Sequence, residues 1–106
     1  MTPHERRARE LEALRRVIAD CESQIKTAAT IAPATVAATF EQHMSLLPAE
    51  SHLRQEWQAL AVKLRHAPTD VIDRAKLRRV VERLQRKADD LALWLERRDA
   101  RLRTRS

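Results

Sequence analysis

The sequence predicts an all-α protein, a small antiparallel helical bundle of three long helices and one short helix. The chain has 106 residues, no glycine and four prolines. A β or α/β protein of this size needs glycine for its hairpins and for the turns between strands and helices, so the absence of glycine favours helices joined by simple turns. Most of the chain consists of alanine, leucine, arginine, glutamate and glutamine, which are good helix formers. The length allows one domain with a modest core.

The first predicted helix covers about residues 3–28. Thr2, Pro3 and Glu5 match a capping box, with Thr2 as the N-cap and Pro3 at the first helical position. Its apolar seam recurs at spacings of three and four, at Leu11, Leu14, Ile18, Cys21, Ile25 and Ala28. An uncharged connector leads to a short second helix at about 34–46, whose seam consists of Val36, Phe40, His43 and Leu47.

Prolines also punctuate the second half of the chain. Pro48 is predicted at the first position of the third helix, about 48–67, whose seam contains Leu53, Trp57, Leu60, Leu64 and Ala67. Thr69 or Asp70 is the predicted N-cap of a long basic C-terminal helix at about 70–101. The seam of this last helix contains Leu77, Val81, Leu84, Ala88, Leu91, Leu95 and Leu102.

That last seam is longer than a short bundle helix needs to cover its neighbours. We therefore expect part of it to project or to pack on a second copy of the chain, through residues 77–102. Residues 1–98 are predicted to form the single helical-bundle domain, and residues 99–106 a basic C-terminal tail.

The positive charge is concentrated near the C-terminus. Residues 1–69 carry nine basic and eight acidic side chains, whereas residues 70–106 carry twelve and seven, for a formal net charge of +6. Within the last helix a basic stripe recurs at helical spacing, at Lys76, Arg79, Arg83, Arg86, Arg97 and Arg101. Guanidinium groups bind phosphate and carboxylate in bidentate geometry, so the stripe predicts an anion-binding or nucleic-acid-binding face. The alternative is an ordinary solvated helix face, whose cations near the C-terminus are favoured by the helix dipole.

Several function classes are disfavoured by the sequence. The four histidines fall on different predicted helices and no HExxH or CxxC spacing occurs, so we expect no metal, no cofactor, no small-molecule substrate and no enzyme activity. The single cysteine, Cys21, lies on a helix seam, which predicts a buried structural thiol in a cytoplasmic protein. No apolar stretch is long enough to cross a membrane, so we expect no membrane partner.

Trp94 is the aromatic residue with the clearest functional interpretation. It flanks Leu91 and Leu95 beyond the middle of the bundle and lies near Arg97 and Arg98. A half-exposed tryptophan in this setting is a good anchor for a partner, so Trp94, Leu91 and Leu95 are the predicted partner-binding residues. The alternative is that Trp94 covers the end of the first helix.

Some short segments resemble a known family. A cysteine near the end of a leucine-rich helix is followed by Phe40-Glu41-Gln42-His43, by Leu64-Arg65-His66-Ala67, and by Leu84 ahead of Trp94. This order resembles the N-terminal domain of the primosomal replication protein PriC family, over about residues 8–96. The resemblance implies a cytoplasmic helical protein that recognises abandoned replication forks, contacts single-stranded-DNA-binding protein and helps to load the replicative helicase.

The chain departs from that family in two places. Residues 28–38 are alanine-rich and look inserted, and the basic C-terminal region is reduced to residues 97–105. Much of the family's DNA and partner binding belongs to that region, so no functional residue is transferred.

The sequence thus predicts a non-enzymatic accessory binding module for nucleic acid or for a nucleic-acid-associated protein, with replication restart as the role that the resemblance implies. The alternative is a helical protein-interaction adaptor, such as a chaperone or an assembly subunit, that holds a partner helix through the apolar seam of its last helix. The two differ in salt dependence, because phosphate binding weakens steeply with added salt and apolar helix pairing does not.

Overall fold

The computed structural model contains four α-helices joined by short connectors. They are α1 (Pro3–Thr27), α2 (Pro33–Met44), α3 (His52–Arg65) and α4 (Arg74–Thr104). The structure describes the backbone of residues 1–104 and the side chains of residues 1–101. No strand occurs in this part of the chain, so the predicted all-α class is confirmed. None of these residues has a positive φ angle. Glycine is the residue that adopts positive φ most readily, and the chain contains none.

The start of α1 follows the predicted cap. Thr2 is extended (φ −75°, ψ 157°), and its Oγ1 accepts a hydrogen bond of 3.1 Å from the backbone N–H of Glu5, while Pro3 occupies the first turn. The helix ends at Thr27. The prediction for this helix is confirmed to within one residue at its C-terminal end.

The predicted start of the third helix at Pro48 is wrong. Residues 48–51 form a turn, in which the backbone N–H of Ser51 donates to the carbonyl of Pro48 at 3.1 Å. Ser51 is the N-cap, and α3 begins at His52. Pro48 lies at the first position of this turn, which uses its carbonyl oxygen and needs no N–H. The first position of a helix needs no N–H either, so Pro48 alone does not distinguish the two structures.

The predicted N-cap of the last helix, Thr69 or Asp70, is also wrong. Asp73 takes this role, since its Oδ1 accepts a hydrogen bond of 3.0 Å from the backbone N–H of Ala75. The residues just before Asp73 are not helical. The backbone N–H of Ile72 donates a hydrogen bond of 2.7 Å to the Ile31 carbonyl in the α1–α2 connector, and not to a carbonyl one turn earlier in its own segment.

The other end of α4 also differs from the prediction. The helix continues as far as Thr104, so the predicted tail from residue 99 onward is helical over residues 99–104. Residues 105–106 of that tail lie outside the described part.

The helices pack as two antiparallel pairs, α1 with α4 and α2 with α3, which meet where α1 contacts α2. The antiparallel arrangement of the first pair is evident because Arg7 lies against Trp94 and Arg74 reaches Ile25. In the centre, Phe40 and Trp57 make an edge-to-face contact with ring centroids 5.4 Å apart. The main buried apolar side chains are Leu14, Val17, Cys21, Phe40, Leu53, Trp57 and Leu77.

Polar contacts also join α1 to α2. His43 Nε2 lies 2.6 Å from Asp20 Oδ2, and the Gln24 amide donates to Thr39 Oγ1 at 2.8 Å. The His43 side chain is largely buried, so this pairing satisfies a polar group that would otherwise destabilise the core.

The apolar seam of α4 packs mostly inside the chain. Leu77, Val81, Ala88 and Leu91 are buried and belong to the core, and Leu84 and Leu95 pack partly buried against it. Because α1 is itself 25 residues long, it covers most of this seam. The unusual length of the seam, which led us to expect a second copy of the chain, is thus largely matched by α1.

Candidate anion-binding face

The predicted basic stripe lies on one exposed side of α4. At 3.6 residues per turn its members fall within about a quarter of the helix circumference. This surface, which we call the basic face of α4, consists of Lys76, Arg79, Arg83, Arg86, Arg97 and Arg101, all exposed. The buried seam on the other side holds α4 in place, so the backbone that carries these cations is fixed.

Carboxylates of α4 are mostly displaced from this face. Glu82, Asp89 and Glu96 follow one another at seven-residue spacing, about a quarter of a turn round the helix from the basic face. Asp90 is the carboxylate within residues 74–101 that lies on the face itself. The basic face therefore keeps a clear excess of positive charge.

Few of the chain's ion pairs involve this face. The pairs within the described residues are Arg6–Glu50, Arg16–Glu12, His43–Asp20, Arg65–Glu41 and Lys87–Glu56. In that part of the chain, five cations of the basic face have no carboxylate partner, namely Lys76, Arg79, Arg83, Arg86 and Arg97. Arg79 Nε donates to the Ala75 carbonyl at 3.4 Å, which leaves its terminal amino groups available. Arg101 differs from these five cations because it interacts with another residue of the chain.

Trp94 lies beside this face with two arginines against its ring. The Arg7 and Arg98 guanidinium carbons are 5.7 Å and 5.6 Å from the ring centroid, which is cation–π distance. Trp94 is 37% exposed. An open groove surrounds it, the Trp94 groove, lined by Arg7, Arg83, Arg86, Lys87, Asp90, Leu91 and Trp94.

The three predicted partner-binding residues have different environments. Trp94 is accessible, whereas Leu91 is only 6% exposed and Leu95 packs partly buried against the core. A partner can reach Trp94 from solvent, while Leu91 mainly holds α4 against its neighbours.

Sequence reasoning missed the arginine that α1 contributes to the Trp94 groove. Arg7 lies in the first turns of α1, far from Trp94 in sequence, and the antiparallel register of α1 and α4 brings the two together. Arg98, by contrast, was predicted beside Trp94, because it is four residues later and therefore on the same side of the helix.

The cysteine and the histidines do not form a reactive centre. Burial, followed by the nearby carboxylates of Asp20 and Glu22, raises the pKa of the Cys21 thiol to about 12, so the thiol is protonated at neutral pH. In the described part of the chain no three His, Cys, Asp or Glu side chains are grouped so that they could hold a metal ion. Within the same residues, no helix has the length and apolar character required to span a membrane.

Comparison with known proteins gives no match among protein-family models, curated proteins or solved structures. The resemblance to the PriC family therefore stays a prediction.

Proposed function

We propose that this protein is a non-enzymatic accessory module that binds nucleic acid through its phosphates, using the basic face of α4. The observation that supports the proposal is that Lys76, Arg79, Arg83, Arg86 and Arg97 share one exposed side and have no carboxylate partner among the described residues. Cations that are not neutralised within the chain are free to exchange small counterions for phosphates.

The dimensions of this face suit a phosphate backbone. Residues 76–86 extend over about 15 Å of helix, and Arg97 lies about 16 Å further along. A rigid row of this length can follow several successive phosphates of one strand, which are spaced about 3.4 Å apart along the duplex axis. Contacts of this kind position a protein on nucleic acid without reading its sequence, so we expect weak sequence preference.

The proposal predicts how steeply the affinity for nucleic acid falls as salt is added. If five cations each neutralise one phosphate of a duplex, log K falls against log salt with a slope of about −4.5. A fourfold rise in salt then weakens binding by about 500-fold.

Charge reversal on the basic face tests the proposal. We expect Arg79→Glu with Arg83→Glu to remove two phosphate contacts, which lowers the salt slope by about 1.8 and strongly weakens binding. The measurement is fluorescence anisotropy with a labelled duplex of about 20 base pairs at several salt concentrations, with helical content checked by circular dichroism.

The matched control is Arg9→Glu with Arg15→Glu on α1. These two side chains are exposed and also have no carboxylate partner among the described residues. Each double variant replaces two arginines by glutamates, so the net charge of the two double variants is identical. We expect the control to bind within about threefold of the original protein, because only long-range charge is altered. Unaltered binding by the Arg79/Arg83 variant would refute the proposal.

The more specific elements of this function rest on the sequence. A role in replication restart, contact with a nucleic-acid-associated protein and a cytoplasmic location are implied by the family resemblance, with the single cysteine also favouring the cytoplasm. The adaptor alternative, and a homodimer through residues 77–102, both use the α4 seam, whose members pack mainly against the rest of the chain. Either would require the α1–α4 pair to open, and light scattering of the purified protein tests the dimer.

A further inference from the structure

A second surface lies between α3 and α4. The closely packed helix pairs are α1–α4, α2–α3 and α1–α2, whereas α3 and α4 adjoin across an open groove. Its apolar lining consists of Leu53, Trp57, Leu60, Val80 and Leu84. Leu60, Val80 and Leu84 are only partly buried, so the groove presents apolar surface to solvent. We call it the α3–α4 groove.

The length of this groove matches a short piece of helix. Leu53 and Leu60 are two turns apart on α3, which corresponds to about 10 Å. An amphipathic helix docks in a groove of this kind through apolar residues at i, i+3 or i+4, and i+7. Two to three turns of a partner helix would fill it.

Trp57, which lines the groove with its ring, also has a buried polar group that lacks a partner among the described residues. Trp57 is 2% exposed, and its indole Nε1–H has no acceptor among the described residues. Buried indole N–H groups normally find an acceptor. This N–H is itself inaccessible to solvent, so the contribution of Trp57 to the groove is the apolar surface of its ring.

The charged residues at the edges of the groove favour a partner with negative charge. Arg83 and Lys87 line the α4 edge, and Lys63 lies two turns after Glu56 on the same side of α3. Glu56 is the carboxylate that lines the groove, and its Oε2 is 3.9 Å from Lys87 Nζ. Neither Arg83 nor Lys63 has a carboxylate partner among the described residues, so the edges are positive overall.

From these observations we infer that the α3–α4 groove docks an acidic amphipathic helix of a partner protein. The apolar side chains of the partner helix pack against the apolar lining of the groove, and the carboxylates of the partner helix are attracted to Arg83, Lys63 and Lys87. This inference does not depend on nucleic-acid binding, because the apolar contacts are made by a different surface from the basic face of α4.

The test uses synthetic peptides and the full chain. The probe is a peptide of about 18 residues with leucines at i, i+3 and i+7 and glutamates on its other faces, and the control peptide has the same composition with the leucines scattered round the helix. Binding is followed by Trp57 fluorescence in a Trp94→Phe background, in which Trp57 is the remaining tryptophan, and by backbone amide NMR shifts.

Two substitutions on α3 form a matched pair. Leu60→Gln puts an amide into the groove, whereas Val62→Gln changes a side chain that is 54% exposed and does not line the groove. We expect Leu60→Gln to weaken peptide binding by at least about tenfold and Val62→Gln by less than about twofold. Val80→Gln serves as a second groove variant if circular dichroism shows that Leu60→Gln loses helical content.

The inference predicts that the amphipathic peptide binds at least about tenfold tighter than the scattered one and shifts the Trp57 emission. Equal binding of the two peptides would show that charge alone is recognised, and no binding at about 1 mM peptide would exclude the site. Either result overturns the inference. Amide shifts at Leu60 and Trp57 caused by a DNA oligonucleotide alone would assign the groove to nucleic acid and overturn it too.

Discussion

Arg74 connects the beginning of α4 to the end of α1, and its removal offers the sharpest test of the fold. Its guanidinium donates hydrogen bonds to the backbone carbonyls of Ile25 at 3.2 Å, of Ala28, and of Ala29 at 2.9 Å. The last carbonyls of a helix lack partners within it and carry the negative end of its dipole. A cation at the first residue of α4 is unfavourable for α4 itself, so the contact with α1 is what stabilises Arg74 there.

The cost of Arg74→Ala can be worked from these contacts. One hydrogen bond with a charged partner contributes about 1.5–3 kcal/mol to stability. The three bonds share one partly exposed side chain and are not additive, because water replaces the donor at the exposed Ala29 carbonyl. We expect a total loss of about 2–4 kcal/mol, which lowers the Tm of a chain of this size by about 10–20 °C.

Urea unfolding followed by far-UV circular dichroism measures this loss. Arg78→Ala is the matched control, since Arg78 lies one turn further along α4, is exposed, and makes no hydrogen bond or ion pair within the described residues. We expect that control to change the free energy of unfolding by less than about 0.5 kcal/mol. Arg74→Lys keeps the charge without the planar donor geometry, so its loss should be intermediate. Equal stability of the two alanine variants would refute the reasoning.

Cys21 and Asp20 give two further predictions, one on pH and one on stability. Because burial raises the pKa of the Cys21 thiol from 9.0 to about 12, the unfolded thiol ionises first as pH rises through this window, and the folded state loses up to about 1.4 kcal/mol per pH unit. Urea unfolding at about pH 8 and about pH 10 should show a steeper loss in the original protein than in Cys21→Ala, and parallel losses would contradict the prediction. Asp20→Ala leaves His43 Nε2 without its 2.6 Å partner and should cost about 1–3 kcal/mol in urea unfolding. A loss no larger than that of the control Glu22→Ala, an exposed neighbour, would show that the His43 contact contributes nothing.

Helix boundaries could be predicted where neighbouring residues alone decide them. Thr2 and Pro3 place the start of α1 correctly, because the cap bond and the proline φ both form within the first turn. Pro48 and Asp70 carry signals of the same kind, yet the helices begin later. Near Asp70 the outcome depends on the bond between Ile72 and the α1–α2 connector, which sequence patterns do not reveal.

In the candidate site, too, features that depend on one helix could be predicted, and features that depend on contacts between helices could not. The basic face of α4 could be predicted because it depends on the period of a single helix. The position of Arg7 against Trp94 could not, because it depends on the register between two helices. Arg74 and Arg79 look alike in the sequence, but Arg74 donates to one carbonyl in the last turn of α1 and to two just after it, while Arg79 keeps its terminal amino groups available.

The two proposed surfaces meet at Arg83. This residue belongs to the basic face of α4 and also lines the α3–α4 groove, and Lys87 lines both the groove and the neighbouring Trp94 groove. Nucleic acid and an acidic helix would therefore both draw on Arg83, with Lys87 close by. Whichever ligand binds first neutralises Arg83 and adds its own negative charge, so the second ligand binds more weakly, and thermodynamic linkage makes this effect equal in both directions. Because the apolar lining of the groove is insensitive to salt while the phosphate contacts are not, high salt favours the helix over the nucleic acid. A module built this way would exchange one partner for the other rather than hold both together.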